Sequence, residues 1–320
     1  MIHIILNETS RTGQGKKISG QVQNALNEEG ISYCLHTTEY AGHAGKLAKS
    51  ITKDPGEKRL FVMGGDGTVN EIINGIADFE NTLFGYIPTG SGNDLARGLN
   101  IKEDAKERLI RLSKSIEIRP MDLGEVKTGD GKSRLFAVSA GIGLDADVCR
   151  QALTSNLKKI LNKAGLGSMT YSLLTVKSLF TMPVSDGALR YIESEEAEES
   201  GESGNETDKK TVHIKKMIFT AAMNHPWEGG GVPMSPDADA FDGLLSVCTV
   251  GNVSRFGALV RFPVLLKAKH GGLRQFHLFN AKTLEIKLDK PMVVHADGEY
   301  CGVTDKAGFR VADKKLNVLL

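Results

Sequence analysis

Short apolar runs alternate with helical patterns over about the first 120 residues. Ile2–Leu6 is apolar except for His3 and reads as a strand, after which Ile18, Val22, Ala25 and Leu26 recur on one helical face until Gly30. Tyr33–Thr37 predicts a second strand, and Leu47, Ala48 and Ile51 mark the helix that follows. Leu60–Met63 and Leu83–Ile87 predict two more strands, each running into a glycine-containing loop that opens a helix. This rhythm is that of βαβ units, so an α/β domain with a mainly parallel sheet is expected.

After Met121 the pattern changes. Glu125–Val126 and Leu135–Val138 flank Thr128-Gly129-Asp130-Gly131, Ile218–Met223 is followed by Leu244–Val250, and Thr283–Leu288 by Met292–His295. Glycine turns between alternating runs predict antiparallel pairs and a second, β-rich domain. Residues 193–208 carry eight acidic side chains and no basic one, with Ser, Gly and Asn between them, and read as a solvated insertion.

The chain of 320 residues exceeds a usual single core, and 40% apolar with 25% charged residues is an ordinary globular composition. Cys34, Cys149, Cys248 and Cys301 form no C-x-x-C pair, which points to idle thiols rather than a zinc site or a disulfide framework. The opening run Met1–Leu6 reaches Asn7 and Glu8 too soon for a signal segment, and no run approaches the ~20 apolar residues of a membrane span. A cytoplasmic protein is expected.

Two glycine loops carry the candidate chemistry. The first is Gly64-Gly65-Asp66-Gly67-Thr68, with Asn70 and Glu71 in the helix it starts. The second runs from Pro88 through Thr89, Gly90, Ser91, Gly92, Asn93 and Asp94 to Gly98. Both fall at the carboxyl ends of predicted parallel strands, where open α/β sheets bind ligands, and glycines there let backbone N–H groups approach phosphate. Asp66 stands out, because a carboxylate about 4 Å from a phosphate charge is repelled by roughly 4 kcal/mol at an effective dielectric of 20. A divalent cation between carboxylate and phosphate would turn that repulsion into attraction. There is no G-x-x-x-x-G-K-[ST] motif. Gly141-Ile142-Gly143-Leu144-Asp145-Ala146 fits a dinucleotide fingerprint, but no Asp or Glu lies between Asp147 and Asp186 to bind a ribose.

Together, GGDGTVNEIINGI and, about 25 residues on, PTGSGNDLARGL resemble the diacylglycerol kinase catalytic-domain family, which includes bacterial soluble diacylglycerol kinases and sphingosine and ceramide kinases. The likeness continues in family order through Asp122-Leu123-Gly124, Gly229-Gly230-Gly231, Ser235 to Gly243 and Asp297-Gly298-Glu299. It implies an ATP-binding α/β domain over 1–122 with a return of the chain at 306–320. A β-sandwich-like lipid-substrate domain is implied over 123–305, with the active site in the interdomain cleft.

By the same resemblance, nucleotide contacts fall on Asn7, Thr9, Ser10, Arg11, Thr38, Gly65 to Glu71 and Ser91, the catalytic base on Glu299, and a structural Mg²⁺ on Asp239, Asp242 and the Leu244 carbonyl. Gly64, Thr89, Gly90, Asn93 and Asp94 complete the nucleotide loops, and Asp66 and Asp122 join Glu299 as catalytic candidates. The family's N-P-x-S-G is here Asn7-Glu8-Thr9-Ser10-Arg11, which adds a negative charge near the nucleotide. His225, just before the triple glycine, reads as structural.

The implied reaction is transfer of the ATP γ-phosphate to a lipid primary hydroxyl, diacylglycerol first among monoacylglycerol, sphingoid bases, ceramide and polyprenols. An NAD kinase, which shares G-G-D-G-T, and a non-catalytic nucleotide or lipid sensor are the alternatives. Net charge is only +1, yet two stretches are basic without any acid. Val148–Ser185 holds Arg150, Lys158, Lys159, Lys163 and Lys177, and Gly243–Leu284 holds Arg255, Arg261, Lys267, Lys269, Arg274 and Lys282. Large apolar residues accompany them, among them Leu166 and Met169 in the first, and such stretches can lie on an anionic membrane. Expected partners are thus ATP, a lipid, a transient anionic surface and, compatibly, a second copy in a homodimer, with no nucleic acid.

Overall fold

A computed structural model describes residues 1–8, 14–154, 170–193 and 209–320. Thr9, Ser10 and Arg11, the run 194–208, and Lys158, Lys159, Lys163, Leu166 and Met169 lie outside the described residues. The chain divides into two compact units, one of residues 1–123 with 312–320 and the other of 124–311.

In the first unit, β1 (Ile2–Leu6), β2 (Tyr33–Thr37), β3 (Lys58–Gly64) and β4 (Thr82–Pro88) pair in parallel in the order β4-β3-β1-β2. Helices α1 (Gln14–Glu28), α2 (His43–Thr52), α3 (Asp66–Ile73), α4 (Asp94–Gly98) and α5 (Ala105–Lys114) connect them. Ile2, Ile4 and Leu6 pack with Val22 and Leu26 of α1, Phe61 and Met63 of β3, and Leu109 and Leu112 of α5. Ile5, Leu60 and Val62 are buried as well, so the middle strands are covered on both faces and their apolar runs are nearly continuous.

The chain comes back at its end. The last part of β16 (Glu299–Leu319) lies parallel to β4, pairing Asn317 with Leu83 and Val318 with Phe84. Arg108, buried in α5, donates to the carbonyls of Tyr86 (3.3 Å) and Leu319 (3.4 Å) and so ties the returning strand to β4. A charged donor shared by two buried carbonyls is a contact that no local pattern announces.

The second unit is antiparallel. β5 (Ile118–Thr128) enters it and forms a hairpin with β6 (Ser133–Phe136), while β7 (Ser139–Gly143), β10 (Phe219–Met223), β13 (Leu245–Val250) and β14 (Phe276–Ala281) pair in the order β14-β13-β10-β7. β7 then pairs with β15 (Thr283–Ala296), and β15 also with β16 and with β8 (Ser185–Ile192), which pairs with β9 (Lys210–Met217). α6 (Leu144–Thr154), α7 (Thr170–Thr181) and α8 (Arg255–Leu266), with the short pair β11 (Trp227–Glu228) and β12 (Val232–Pro233), complete it. Thr283–Leu288 and Met292–His295 are not a hairpin pair, because both belong to β15. Asp289-Lys290-Pro291 mimics a turn, but its effect is a register shift between Lys287 and Met292, as expected where proline removes a ladder donor.

Candidate active site

The two glycine loops of the first unit are built against each other. Asp66 opens α3, and its carboxylate reaches the start of α4, where Oδ2 accepts the Asp94 N–H at 3.1 Å and Oδ1 the Leu95 N–H at 3.2 Å. A five-residue helix has little stability of its own, so an acid at its exposed amides sets where it begins. Burial raises the pKa of Asp66, and the N–H donors of Leu95, Asp94 and Asn93 pull against that rise.

The glycines answer to packing as much as to ligand approach. A Cβ on Gly90 would stand 2.4 Å from the Gly65 Cα, and one on Gly64 would stand 2.6 Å from the Thr68 Cβ. The Thr89 N–H donates to the Gly64 carbonyl at 2.9 Å, which closes the loops at their strand ends. Asn93 sits in the left-handed region (φ 52°) and its Nδ2 donates to the Gly90 carbonyl at 2.9 Å. Tyr86 lies beneath, its phenol pKa pushed far up by burial and by the charges of Asp66 and Asp94, and Arg97 pairs with Asp94. Gly90→Ala is expected to destabilise the protein by about 1–3 kcal/mol, since backbone cannot retreat as a side chain can. Urea unfolding checks this, and an unchanged midpoint would contradict the contact.

The other expected contacts in this unit divide by role. Asn7 Nδ2 donates to the Thr68 hydroxyl at 3.1 Å, and the Thr38 N–H to the Leu6 carbonyl at 2.9 Å, so both residues stand at strand ends beside the first loop. Gly67 lies in the first turn of α3, Asn70 is fully buried below it, and Ser91 is exposed on the second loop. The Glu71 carboxylate accepts the N–H groups of Gly42 (2.7 Å) and Ala44 (3.2 Å) and caps α2. Asp122 is buried, with Lys315 of the returning strand 2.9 Å from its Oδ1. Lys315 carried no signal in the sequence, because only the return of the chain brings it to Asp122.

In the second unit, Glu299 follows a two-residue turn between β15 and β16, opposite Ala296. Asp297 (φ 48°) and Gly298 (φ 83°) both have positive φ, as an Asp-Gly turn of this kind requires. The Asp297 carboxylate accepts three backbone N–H groups, from Ala137 (2.8 Å), Val138 (2.8 Å) and Ser139 (3.0 Å), anchoring the turn to the β6–β7 junction. The Gly298 N–H lies 3.1 Å from His295 Nδ1, which orients the ring and turns Nε2 toward two acids. That nitrogen faces Asp145 Oδ2 at 3.1 Å and Glu228 Oε1 at 3.2 Å.

No sequence motif marks Asp145, Glu228 and His295 as a chemical cluster. The one available hint was Gly141-Ile142-Gly143-Leu144-Asp145-Ala146, whose first glycine has a use other than binding a dinucleotide. A Cβ on Gly141 would fall 1.8 Å from Asp145 Oδ2, so the glycine makes room for the cluster. Cys149 lies close by, its thiol pushed up to about 12 by burial, and is inert there.

The expected metal residues form a turn. Asp239 Oδ1 accepts the Phe241 N–H (3.1 Å) and Asp242 Oδ1 the Leu244 N–H (2.9 Å). The donor set, two carboxylates and the Leu244 carbonyl, is all oxygen, which fits Mg²⁺.

His225 is buried and its pKa is lowered to about 4 by desolvation. Below the unfolded value near 6.5 the unfolded chain takes up a proton that the folded one refuses, so stability falls as the pH drops from about 6.5 to 4. The loss attributable to this one ring approaches about 3 kcal/mol, and His225→Gln is expected to flatten that part of a denaturation profile. An identical slope in the variant would show the ring to be accessible.

Comparison with known proteins follows the same division. The model described as "Diacylglycerol kinase catalytic domain" matches residues 1–126, and that described as "YegS C-terminal NAD kinase beta sandwich-like domain" matches 138–320. Two proteins of Bacillus subtilis (strain 168) are each 27% identical to the chain. "Putative lipid kinase YtlR" aligns over 96% of this chain and 95% of its own length, and "Diacylglycerol kinase" over 94% and 90%. The crystal structure of a "putative diacylglycerol kinase from Bacillus anthracis str. Sterne" superposes with a TM-score of 0.73 at 21% identity, covering 99% of this chain and 96% of that one, and so shares the fold.

Proposed function

Since this chain belongs to the diacylglycerol kinase catalytic-domain family, with the matching C-terminal β-sandwich domain, we propose that it phosphorylates the primary hydroxyl of diacylglycerol using Mg·ATP. The observation that carries the reading is the joint construction of the two glycine loops, held by Asp66 on the amides of Asp94 and Leu95. That construction sets a carboxylate and clustered backbone N–H groups at the ends of parallel strands, where a nucleotide's phosphates bind.

Phosphoryl transfer asks the protein for position and charge more than for covalent chemistry. Mg²⁺ supplies neutralisation of the phosphate charges, and Asp66 is the residue that would hold it in the loop. Asn7, Thr38 and Thr68 stand at the rim of the same loop and would orient the donor. On the acceptor side, Glu299 takes the hydroxyl proton as the lipid oxygen bonds to the γ-phosphorus and the bond to the β-phosphate oxygen breaks, leaving ADP. Asp239, Asp242 and the Leu244 carbonyl would hold a second, structural Mg²⁺.

Contact with an anionic membrane belongs to this reading. No helix among the described residues is long and apolar enough to cross a membrane. Exposed Leu173, Val176 and Phe180 on α7 and Phe256, Val260 and Leu266 on α8 offer apolar groups to an interface. Some cations named in the sequence are used internally, since Arg255 donates to the carbonyls of Leu179 and Met182 and Arg150 pairs with Asp147. Lys177, Lys267 and Lys269 remain candidates for lipid headgroups. Stronger sedimentation with phosphatidylglycerol vesicles than with neutral ones at low salt is expected, and equal sedimentation would remove the membrane contact.

The direct test is transfer of labelled γ-phosphate from ATP with Mg²⁺ to a panel of diacylglycerol, monoacylglycerol, sphingosine, ceramide and a polyprenol in mixed micelles, with free NAD alongside. Labelled phosphatidic acid is expected. Label on another lipid would change the acceptor, and label on NAD alone would overturn lipid transfer.

A further inference from the structure

The face of the first unit's sheet that carries His3 brings three ligand-type side chains together away from the glycine loops. β1 and β2 are parallel neighbours at the sheet edge, with His3 in register with Cys34 and Ile5 with His36. Cys34 and His36 are two residues apart in β2, so they point to the same face as one another. His3 Nδ1 lies 3.3 Å from His36 Nε2, and one nitrogen of each ring and the Cys34 sulfur all lie within 4.8 Å of one another. All three residues are half-buried.

We propose that His3, Cys34 and His36 form a binding site for a borderline-soft divalent transition metal of the zinc class. Two nitrogens at tetrahedral bonds of about 2.0–2.1 Å are about 3.3–3.4 Å apart, which is the separation found here. Imidazole and thiolate together select Zn²⁺ or Co²⁺ over Mg²⁺, whose preference is for oxygen, so this site would not compete with the kinase cation. Burial, the facing His36 and the charges of Lys58 and the amino terminus all lower the pKa of His3, and burial lowers that of His36. Both rings therefore keep a lone pair for a metal at neutral pH. Binding forms one metal–sulfur and two metal–nitrogen bonds and releases the Cys34 thiol proton to solvent, with no change of oxidation state.

Such a metal would staple the edge strand β2 to β1. His36 lies two residues before Thr38, but the three ligands share no residue with the loop chemistry, so the site stands independently of the kinase assignment.

The test uses the full chain, stripped with chelator and titrated with Co²⁺. One equivalent is expected to give a thiolate-to-cobalt charge-transfer band in the near ultraviolet together with tetrahedral visible bands, both displaced by Zn²⁺ and unaffected by excess Mg²⁺. Cys34→Ser is expected to abolish the charge-transfer band and His36→Ala to weaken Co²⁺ binding at least tenfold, while Cys301→Ser, at another half-buried thiol, leaves the band unchanged. Absence of the band in the wild type, or its survival in Cys34→Ser, would overturn the site. Should the variants fold poorly, alkylation of Cys34 in the wild type gives a separate reading. Saturating Zn²⁺ is expected to slow it at least tenfold and Mg²⁺ to leave it unchanged, and equal rates would overturn the proposal.

Discussion

Asp66→Asn is expected to lower kcat for lipid phosphorylation by at least about a hundredfold, at any Mg²⁺ concentration, the scale of loss seen when one preorganised electrostatic group leaves a transition state. Two effects act together. The substitution removes the charge that would hold Mg²⁺ in the loop, and it puts an amide NH₂ where one of two oxygens now accepts a backbone N–H from Asp94 or Leu95. The second effect leaves a donor facing a donor and costs about 1–3 kcal/mol of stability. Turnover measured across a Mg²⁺ series, with urea unfolding on the same samples, separates the two. Near-normal turnover would remove Asp66 from the reaction. A lost fold with turnover restored at low temperature would leave it only the capping of α4.

Glu299→Gln should cut kcat by about 10²–10⁴-fold while the KM for ATP and the unfolding midpoint stay in place. The turn that carries Glu299 is anchored by Asp297 on three amides and by His295 on a fourth, and Gln preserves the size of the side chain it replaces. A structural role would move stability, whereas loss of a proton acceptor moves only the chemical step. Retention of more than a tenth of wild-type kcat would show that Glu299 is not the base. His295, Asp145 and Glu228 then become the groups to vary, as positioning residues whose substitution alters the turn.

Much of this molecule is legible along the chain, for a physical reason. Strands covered on both faces must be apolar nearly throughout, so Leu60–Met63 and Leu83–Ile87 announce themselves. An Asp-Gly turn between two apolar runs admits few conformations, so the hairpin that presents Glu299 is local as well. Glycine loops at strand ends are equally readable, since the conformational or steric demand falls on the residue itself.

What a residue touches across the fold is a different matter. Asp66 looks like a metal ligand and is also the cap of a helix that begins 28 positions later. Glu71 looks like a nucleotide contact and is also the cap of α2. Asp289-Lys290-Pro291 looks like a turn and is a shift within one strand. In each case the local chemistry is the same in both readings, because a carboxylate accepts an N–H as readily as it meets a cation, and proline breaks a ladder as readily as it opens a turn. The sequence by itself determined the element types, the two glycine loops and the family they belong to. Only the tertiary structure decided which amides claim each carboxylate, that Gly65 and Gly90 lie against each other, and that Lys315 meets Asp122. Those pairings depend on distances between segments remote along the chain, and no periodicity encodes them.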